Sequence, residues 1–368
     1  MKNDTILSYT YNCGNNTDWG KQNGNSAMKD SDIAIGAQYQ VARAYDFYKN
    51  VFGWKGTDGN NAKLVLFPQD PASVTGDAWS SPYYNTIGFG KYDESAPKYK
   101  YAALEMDTPI HEYTHRVLRN KLLWNLPCAK NGKYYGESNS LNEAYADILG
   151  EYGQLYCKGS IDWKVGNEIR KDGSPFRDIS RGNDYEERGA KHHFKVPETS
   201  TETSLWDSHA GSTVISHAAY RMEQYQITSG YARSIWYNSI AYLQGTSYTF
   251  RNCRTAVTKS AENKFASLYS SDVATRKRFE MRVHSAFNYA RIFPNSVYKM
   301  GDINGDGKVT MADATIISSF VTNSSTWKTT GYTAQTIAKG DLNYDGIISQ
   351  ADVDIIKKAL SNGTETEL

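Results

Sequence analysis

Two short stretches carry residue types that together can hold and use a metal ion. The first is His111-Glu112-Tyr113-Thr114-His115. On a helix, positions i and i+4 share a face, so both imidazoles can reach one ion. Glu112 sits one step round, beside the coordination position left open, where a carboxylate can take a proton from water. The second stretch is Asn142-Glu143-Ala144-Tyr145-Ala146-Asp147. Glu143 and Asp147 again share a helix face. Glu143 can supply the third ligand that catalytic zinc requires, and Asp147 can accept a hydrogen bond from the far ring nitrogen of a ligand histidine. The bland alternative is a helix with two otherwise bonded histidines. It leaves two carboxylates on a buried face without a partner, which is costly.

The elements that must position these residues are legible from periodicity. TPIHEYTHRVLRNKLL opens with Thr108-Pro109, and proline is favoured in a first helical turn. SLNEAYADILGEYGQLY is a second periodic helix, and GSTVISHAAYRMEQY a third. Residues 231–290 read as mostly helical. Earlier in the chain, DSDIAIGAQYQVARAYDFYKNVFG predicts a helix, with Ile33, Val41, Ala44 and Tyr48 at helical spacing. Residues 57–93 are rich in Gly, Pro, Asn and Tyr around extended runs such as KLVLF, which predicts hairpins and loops.

The chain has 368 residues, 39% hydrophobic and 22% charged, with a formal net charge of +1. That is the composition of a globular protein of two or three folding units. The charge balance gives no reason to expect nucleic acid or an anionic membrane as partner, and no apolar run reaches the length of a membrane span. The start, MKNDTILSYTYNCGNN, lacks a signal-peptide pattern, so either the chain is cytosolic or a leader and any pro-segment have been removed, and the C-terminal pattern described below favours removal. Cys13, Cys128, Cys157 and Cys253 form no CxxC pair. Free thiols and one or two disulfides are both open.

HExxH followed by NExxxD resembles the thermolysin family of metallopeptidases, and the likeness extends beyond the motif. AYDFYKNVFGWKGTDGNNA (44–62), ESNSLNEAYADILG (137–150) and SHAGSTVISHAAY (208–220) resemble family stretches in the same order. The resemblance implies that His111, His115 and Glu143 hold one zinc ion and that Glu112 is the general base. It implies that Tyr134 and His209 stabilise the oxyanion, with the neighbouring Tyr135 an alternative to Tyr134, and that Arg177 binds the substrate carbonyl just past the cut. Asp147 and Asp107 match the acids that support the ligands. Val165, Ile169 and Phe176, near Arg177, suggest an apolar preference after the cut. The chain departs from the family in two places. Gln154, Lys164 and Asn167 stand where acids hold calcium, with Asp162 retained, so that calcium site is expected to be absent or reduced. Ser204 replaces the aspartate that orients the second oxyanion donor, leaving Asp207 or Glu202 to serve. The edge strand that grips substrate is expected near SSPYYN (80–85).

After RIFPNSVYKM come two copies of one pattern, GDINGDGKVTMADATII and GDLNYDGIISQADVDII. Asp302, Asn304, Asp306, Lys308 and Asp313 fall at positions 1, 3, 5, 7 and 12 of the first loop. Asp341, Asn343, Asp345, Ile347 and Asp352 fall at those of the second. Alternating oxygen side chains, a glycine at position 6 and a closing acid make a calcium cage, with position 7 offering its carbonyl. No clear helix enters either loop, but a short apolar helix leaves each. The duplicated unit resembles a type I dockerin. That implies two calcium ions and a cohesin partner on a scaffold or cell-surface protein. Met311-Ala312 and Gln350-Ala351 match the partner-binding positions.

The expected fold is α+β. It comprises a two-lobed thermolysin-like peptidase, with a mixed α/β lobe over residues 1–133 and a mainly helical lobe over 134–295, then a small duplicated calcium-loop domain over 296–368. The expected function is secreted, extracellular peptide-bond hydrolysis on a cell-surface or cellulosome-type complex. Two other readings stay open: an inactive peptidase fold used as a binding subunit, and an exopeptidase. The complete catalytic set weighs against the first, and the lack of an acidic amine-binding motif such as GxMEN against the second.

Overall fold

The computed structural model describes residues 6–8, 27–81, 83–122, 136–187, 190–196, 207–329 and 331–364. The chain divides into two compact units, residues 1–193 with 205–216, and residues 194–204 with 217–368.

The first unit begins with β1 (Ile6–Ser8) and α1 (Ala27–Phe52), followed by β2 (Leu64–Asp70), β3 (Ala78–Ser80) and β4 (Thr86–Gly90). These strands form one sheet in the order β1-β2-β4-β3. β1, β2 and β4 run parallel, and only β3 is antiparallel, to β4. The hairpin expected over 57–93 is therefore confined to β3–β4, and β2 reaches β4 by a non-local connection. β3 ends the order, so among the described residues one of its edges has no strand partner in the sheet.

Two helices follow, α2 (Asp107–Leu122) and α3 (Glu137–Lys158). Glycines let them approach closely. A Cβ on Gly153 would lie 2.5 Å from the Ile110 side chain, and one on Gly150 would lie 3.2 Å from the Asp107 carbonyl. Glycine inside a helix costs about 1 kcal/mol relative to alanine. Here that cost secures the close packing that brings the α2 and α3 motifs together. α3 stops at Gly159, whose left-handed conformation (φ 78°) lets its N–H reach the Leu155 carbonyl. Thr114 of α2 bonds Tyr48 of α1 (2.6 Å), fixing the back of α2. Short strand pairs β5 (Lys164–Val165) with β6 (Arg177–Asp178), and β7 (Tyr185–Glu187) with β8 (Ala190–His192), come next. α4 (Ser208–Gln224) contributes its first turns to this unit.

The second unit holds the rest of α4, α5 (Ser229–Leu243), α6 (Phe250–Leu268) and α7 (Val273–Tyr289). Thr249 caps α6 by accepting from Asn252 N–H, and Asp272 caps α7 by accepting from Thr275 N–H. The two acidic repeats belong to the same unit, with α8 (Met311–Thr322), α9 (Ala334–Ile337) and α10 (Gln350–Asn362). α9 and a 3-10 turn (Ala338–Gly340) lead into the second loop, so one loop does have a short entering helix, against expectation. One apolar cluster joins α7 to the repeats, with Met281, Ile303, Ile317, Trp327, Ile337 and Ile356 all buried. Polar contacts reinforce it. Asn288 donates to the Ala338 carbonyl (3.0 Å), and Lys277 donates to the carbonyls of Thr329 and Tyr332.

Cys157 and Cys253 form no disulfide among the described residues, while Cys13 and Cys128 lie outside them. Among the described residues no helix is long and apolar enough to cross a membrane.

Candidate active site

Residues 111, 112, 115, 116 and 119 lie along one face of α2, as the helical repeat requires. That face meets α3 at Glu143. His111 Nε2 lies 3.0 Å from His115 Nε2 and 3.3 Å from Glu143 Oε2, and His115 Nε2 lies 3.7 Å from the same oxygen. A tetrahedral zinc with ligands at about 2.0–2.2 Å separates its donors by about 3.3 Å. The triangle fits that ion without rearrangement. Among the described residues, this is the only group of three or more His, Cys, Asp or Glu whose donor atoms all lie within 4.8 Å. Glu143 Oε2 is buried and accepts no hydrogen bond, although imidazole nitrogens surround it.

Electrostatics also favour a cation. Burial opposes charge on His111, but the carboxylates of Asp147 and Glu143 push its pKa up to about 10. Burial would raise Glu143, yet His209, His115 and His111 hold it well below the usual range. These carboxylates call for positive charge, as protons on the imidazoles or as one divalent ion. Glu112 differs: burial raises its carboxyl above the ordinary value, against the histidines that oppose the shift.

Supporting contacts surround the triangle. Asp147 Oδ1 lies 2.9 Å from His111 Nδ1, the far ring nitrogen. Its two oxygens also receive Arg177, at 2.5 Å from Nη2 and 2.8 Å from Nε, and it accepts from Ser212 (3.2 Å). Arg177 is buried, and the Asp147 carboxylate overcomes burial to raise its pKa. His209 Nε2 lies 3.4 Å from Glu143 Oε2, and Asp207 Oδ1 lies 3.6 Å from its Nδ1 and accepts from its backbone N–H. Asp207 stands beside His209, and Glu202 lies outside the described residues. Both carboxylates raise the His209 pKa, Glu143 most. Asp107 heads α2 away from the triangle, accepting from Gly166 N–H (3.1 Å). Tyr134 and Ser204 lie outside the described residues.

Asp107 instead belongs to a buried carboxyl cluster. Burial, then Asp107, raises Glu105 well above its usual value, and burial with Asp107 and Asp162 does the same to Glu151. Asn167 donates to Asp162 (2.7 Å), and Gln154 is buried nearby in sequence.

A cavity of about 240 Å³ opens over the triangle, lined by Ala78, Trp79, Ser80 and Ser81 on one side and His111, Glu112, His115, Glu143 and His209 on the other. β3 (78–80) thus borders the cleft and adjoins the stretch 80–85 near which the edge strand is expected. Val165 and Ile169 are core residues, and neither they nor Phe176 line this cavity. The lining also includes Asn139, Asn142, Arg116 and Arg119, which the motifs did not single out.

The acidic loops fold alike. In the first, Asp302 accepts from Gly305 N–H (2.8 Å) and Gly307 N–H (3.2 Å), and Asn304 donates to Asp306 (3.0 Å). In the second, Asp341 accepts from Asp345 N–H (3.1 Å) and Gly346 N–H (3.0 Å), and Asn343 donates to Asp345 (2.8 Å). Gly307 and Gly346 both take positive φ (83° and 78°), the sharp turn a calcium loop needs at position 6. Position 12 has a second task that the sequence pattern concealed. Asp313 accepts from Ile303, Asn304 and Thr310 N–H groups, and Asp352 from those of Leu342, Asn343 and Ser349. Each thereby completes a capping box, with Thr310 or Ser349, at the start of the exiting helix. Lys308 and Ile347 are exposed, as are Met311, Ala312, Gln350 and Ala351. Burial, above all, raises Asp341 to about 7, with Asp352 and Asp345 adding to it; such crowded carboxylates suit calcium.

Family comparisons agree with this geometry. The thermolysin metallopeptidase catalytic domain matches residues 1–119, and the family's alpha-helical domain matches residues 131–283. The chain belongs to the thermolysin metallopeptidase family. Residues 300–364 match the dockerin type I domain, so this thermolysin-family chain also carries a dockerin. It is 25% identical over 243 residues to a thermolysin from Alicyclobacillus acidocaldarius subsp. acidocaldarius, covering 64% of this chain and 42% of that protein. It is 22% identical over 256 residues to neutral protease B of Bacillus subtilis (strain 168), covering 67% and 44%. The chain therefore spans about two fifths of the length of these curated relatives. Its fold is similar to that of the precursor of protealysin, a metalloproteinase from Serratia proteamaculans. The TM-score is 0.58 at 17% identity, over 78% of this chain and 88% of that one.

Proposed function

We propose that this thermolysin-family chain is a zinc-dependent endopeptidase, tethered through its dockerin to a cohesin-bearing scaffold outside the cell. The observation that carries the reading is the triangle of His111, His115 and Glu143, open to a cleft and flanked by Glu112. When bound there, zinc supplies Lewis acidity for a scissile carbonyl and for water.

The chain's own residues do the rest. Glu112, its carboxyl raised by burial, accepts a proton from the attacking water and returns it to the leaving amine. His209 is favoured in its protonated form by Glu143 and Asp207, and donates toward the oxygen on which charge builds. Tyr134 is proposed as the second such donor. Asp147 holds His111 and Arg177 at once, so ligand orientation and the arginine that receives the substrate carbonyl are set by one carboxylate. Asp107 steadies the first turn of α2. The edge of β3 offers backbone groups to an extended peptide. An apolar residue after the cut is proposed on the grounds that Val165 pairs directly with Arg177 across β5–β6.

One zinc is assigned to the triangle. Two calcium ions are assigned to Asp302, Asn304, Asp306, Lys308 and Asp313, and to Asp341, Asn343, Asp345, Ile347 and Asp352. The exposed Met311-Ala312 and Gln350-Ala351 are assigned to cohesin binding. The functional modules are taken as residues 1–133, 134–295 and 296–368.

Casein cleavage by Glu112→Gln tests the reading. Turnover is expected to fall at least about a hundredfold while zinc content stays equal to that of the unsubstituted chain. Stoichiometric zinc without any cleavage by the unsubstituted chain would instead identify an inactive fold serving as a binding subunit.

A further inference from the structure

The second unit holds a cavity that no residue assigned to hydrolysis lines. It measures about 310 Å³ and lies between α7, the end of α8 and the start of α10. Its floor is apolar: Met281, Phe320, Trp327 and Ile348 are all buried. Trp327 is held there, its Nε1 donating to the Phe320 carbonyl (3.0 Å) and its ring meeting Phe320 edge-on. Arg278 and Arg282 line the cavity from α7, at i and i+4 and so on one helix face. Val321 and Ile347 line it as well, and both are exposed.

The two arginines have no acid to answer them. Arg278 lies over the Trp327 ring (4.8 Å). Arg282 lies over Phe279 (5.2 Å) and donates to the Gln226 side chain (3.3 Å), a neutral acceptor. Glu280, between them in sequence, pairs with Arg276 instead (3.6 Å). Both guanidiniums are half-buried, and among the described residues no carboxylate pairs with either. Like charges four apart on a helix repel, and an anion set between them removes the repulsion. Each guanidinium keeps N–H donors for such a guest.

Size and place point to the occupant. About 310 Å³ is the lower end of a small-molecule pocket, suited to one large side chain and not to a cofactor. Arginine, tryptophan and methionine under an exposed aliphatic rim are the residue types that anchor protein partners. The rim continues into Gln350, one of the positions assigned to cohesin binding. The opposite wall, with Arg278, Met281 and Arg282, lies in the stretch matched by the peptidase's alpha-helical domain.

We infer that α7 of the peptidase completes the dockerin's docking surface: this cavity receives an apolar side chain of the partner protein, and Arg278 and Arg282 receive an acidic side chain beside it. The inference rests on the dockerin reading for the identity of the partner. The repeats thus carry only part of the recognition surface, and the last peptidase helix carries the rest.

The test uses the calcium-saturated full chain with Glu112→Gln, so that probes are not consumed. The probes are short fluorescein-labelled peptides with a central Asp-Phe-Asp, Asn-Phe-Asn or Asp-Ser-Asp, read by anisotropy. The Asp-Phe-Asp peptide is expected to bind about tenfold tighter than either of the others. Its advantage over Asn-Phe-Asn should shrink at about 0.5 M salt, and should vanish when Arg278→Glu and Arg282→Glu are combined. Equal binding of the three peptides, or a preference unchanged in the double variant, overturns the inference. If the double variant does not fold, hydrogen exchange decides without it. The Asp-Phe-Asp peptide should protect amides around 278–282 and 346–350, and protection confined to other segments overturns the site. A type I cohesin module then tests the partner. Binding about tenfold weaker in the double variant supports it, and equal binding with and without the two substitutions overturns it. Failure of the dockerin reading shows differently: the module binds neither chain, while tight binding of the Asp-Phe-Asp peptide still upholds the acidic-ligand pocket.

Discussion

The two acidic loops carry one sequence pattern in two settings. Around the first, a Cβ on Gly307 would meet nothing within 4 Å; around the second, a Cβ on Gly346 would lie 2.4 Å from the Tyr225 ring. The Tyr344 carbonyl of the second loop accepts from Tyr225 (2.6 Å) and from Arg221, both in the segment that ends α4, and the Tyr344 ring meets Tyr289 of α7 edge-on. The first loop has its own anchor, Lys339 donating to the Asp302 carbonyl (2.7 Å), but that residue comes from the repeat itself. The second loop is thus hydrogen-bonded into the peptidase helices of its unit, whereas among the described residues the first meets α7 through the apolar cluster that holds Ile303 and Met281. Sequence repetition does not imply equivalent energetics: a repeat's ions couple to whatever its loop packs against.

The largest expected effect separates the loops by metal loss. Asp341→Ala should raise amide exchange in α7 and around Arg221–Tyr225 as well as in the repeats. Asp302→Ala should raise it around the first loop and α8 alone. With calcium at about a thousandfold its dissociation constant, each lost site removes about 4 kcal/mol. Equal exchange in α7 for both variants would erase the asymmetry. Next comes the glycine pair. Gly307→Ala should cost about 1–2 kcal/mol for its left-handed backbone, and Gly346→Ala about 2–5 kcal/mol because overpacking against Tyr225 adds to that. Urea midpoints in saturating calcium measure both. The smallest effect is Tyr225→Phe, which removes the hydroxyl that donates to the Tyr344 carbonyl and accepts from Arg221; the lost contact to the loop is worth about 1 kcal/mol. Calorimetry should show calcium binding weakened about fivefold at one site and unchanged at the other.

The metal-holding residues are legible in the sequence because helical periodicity is local. HExxH and NExxxD each place their side chains on one face whatever surrounds them, and the α1 to α7 helices stand close to where their apolar spacing predicts them. The sheet is less legible. Parallel pairing of β2 with β4 is a contact between distant segments, and no turn signal announces it. The strand that borders the cleft lies a few residues before the stretch near which it is expected for the same reason: β3 is defined by pairing with β4, not by its composition. Arg116 and Arg119 look like ordinary helix residues in the sequence, since only the position of β3 turns that face of α2 into a cleft wall. The capping role of Asp313 and Asp352 is hidden behind their fit to position 12.

Residue order alone determined the family, the motifs that carry His111, His115 and Glu143 with Glu112 beside them, and the two acidic loops. All are short-range patterns whose spacing maps directly onto one helix face or one tight turn. Tertiary structure alone decided that Asp147 serves both His111 and Arg177, that two arginines line the cleft, and that the second acidic loop is hydrogen-bonded to the end of α4 while the first meets α7 through apolar contacts. Those facts depend on which surfaces meet after collapse, and burial and charge at a meeting surface belong to both partners together.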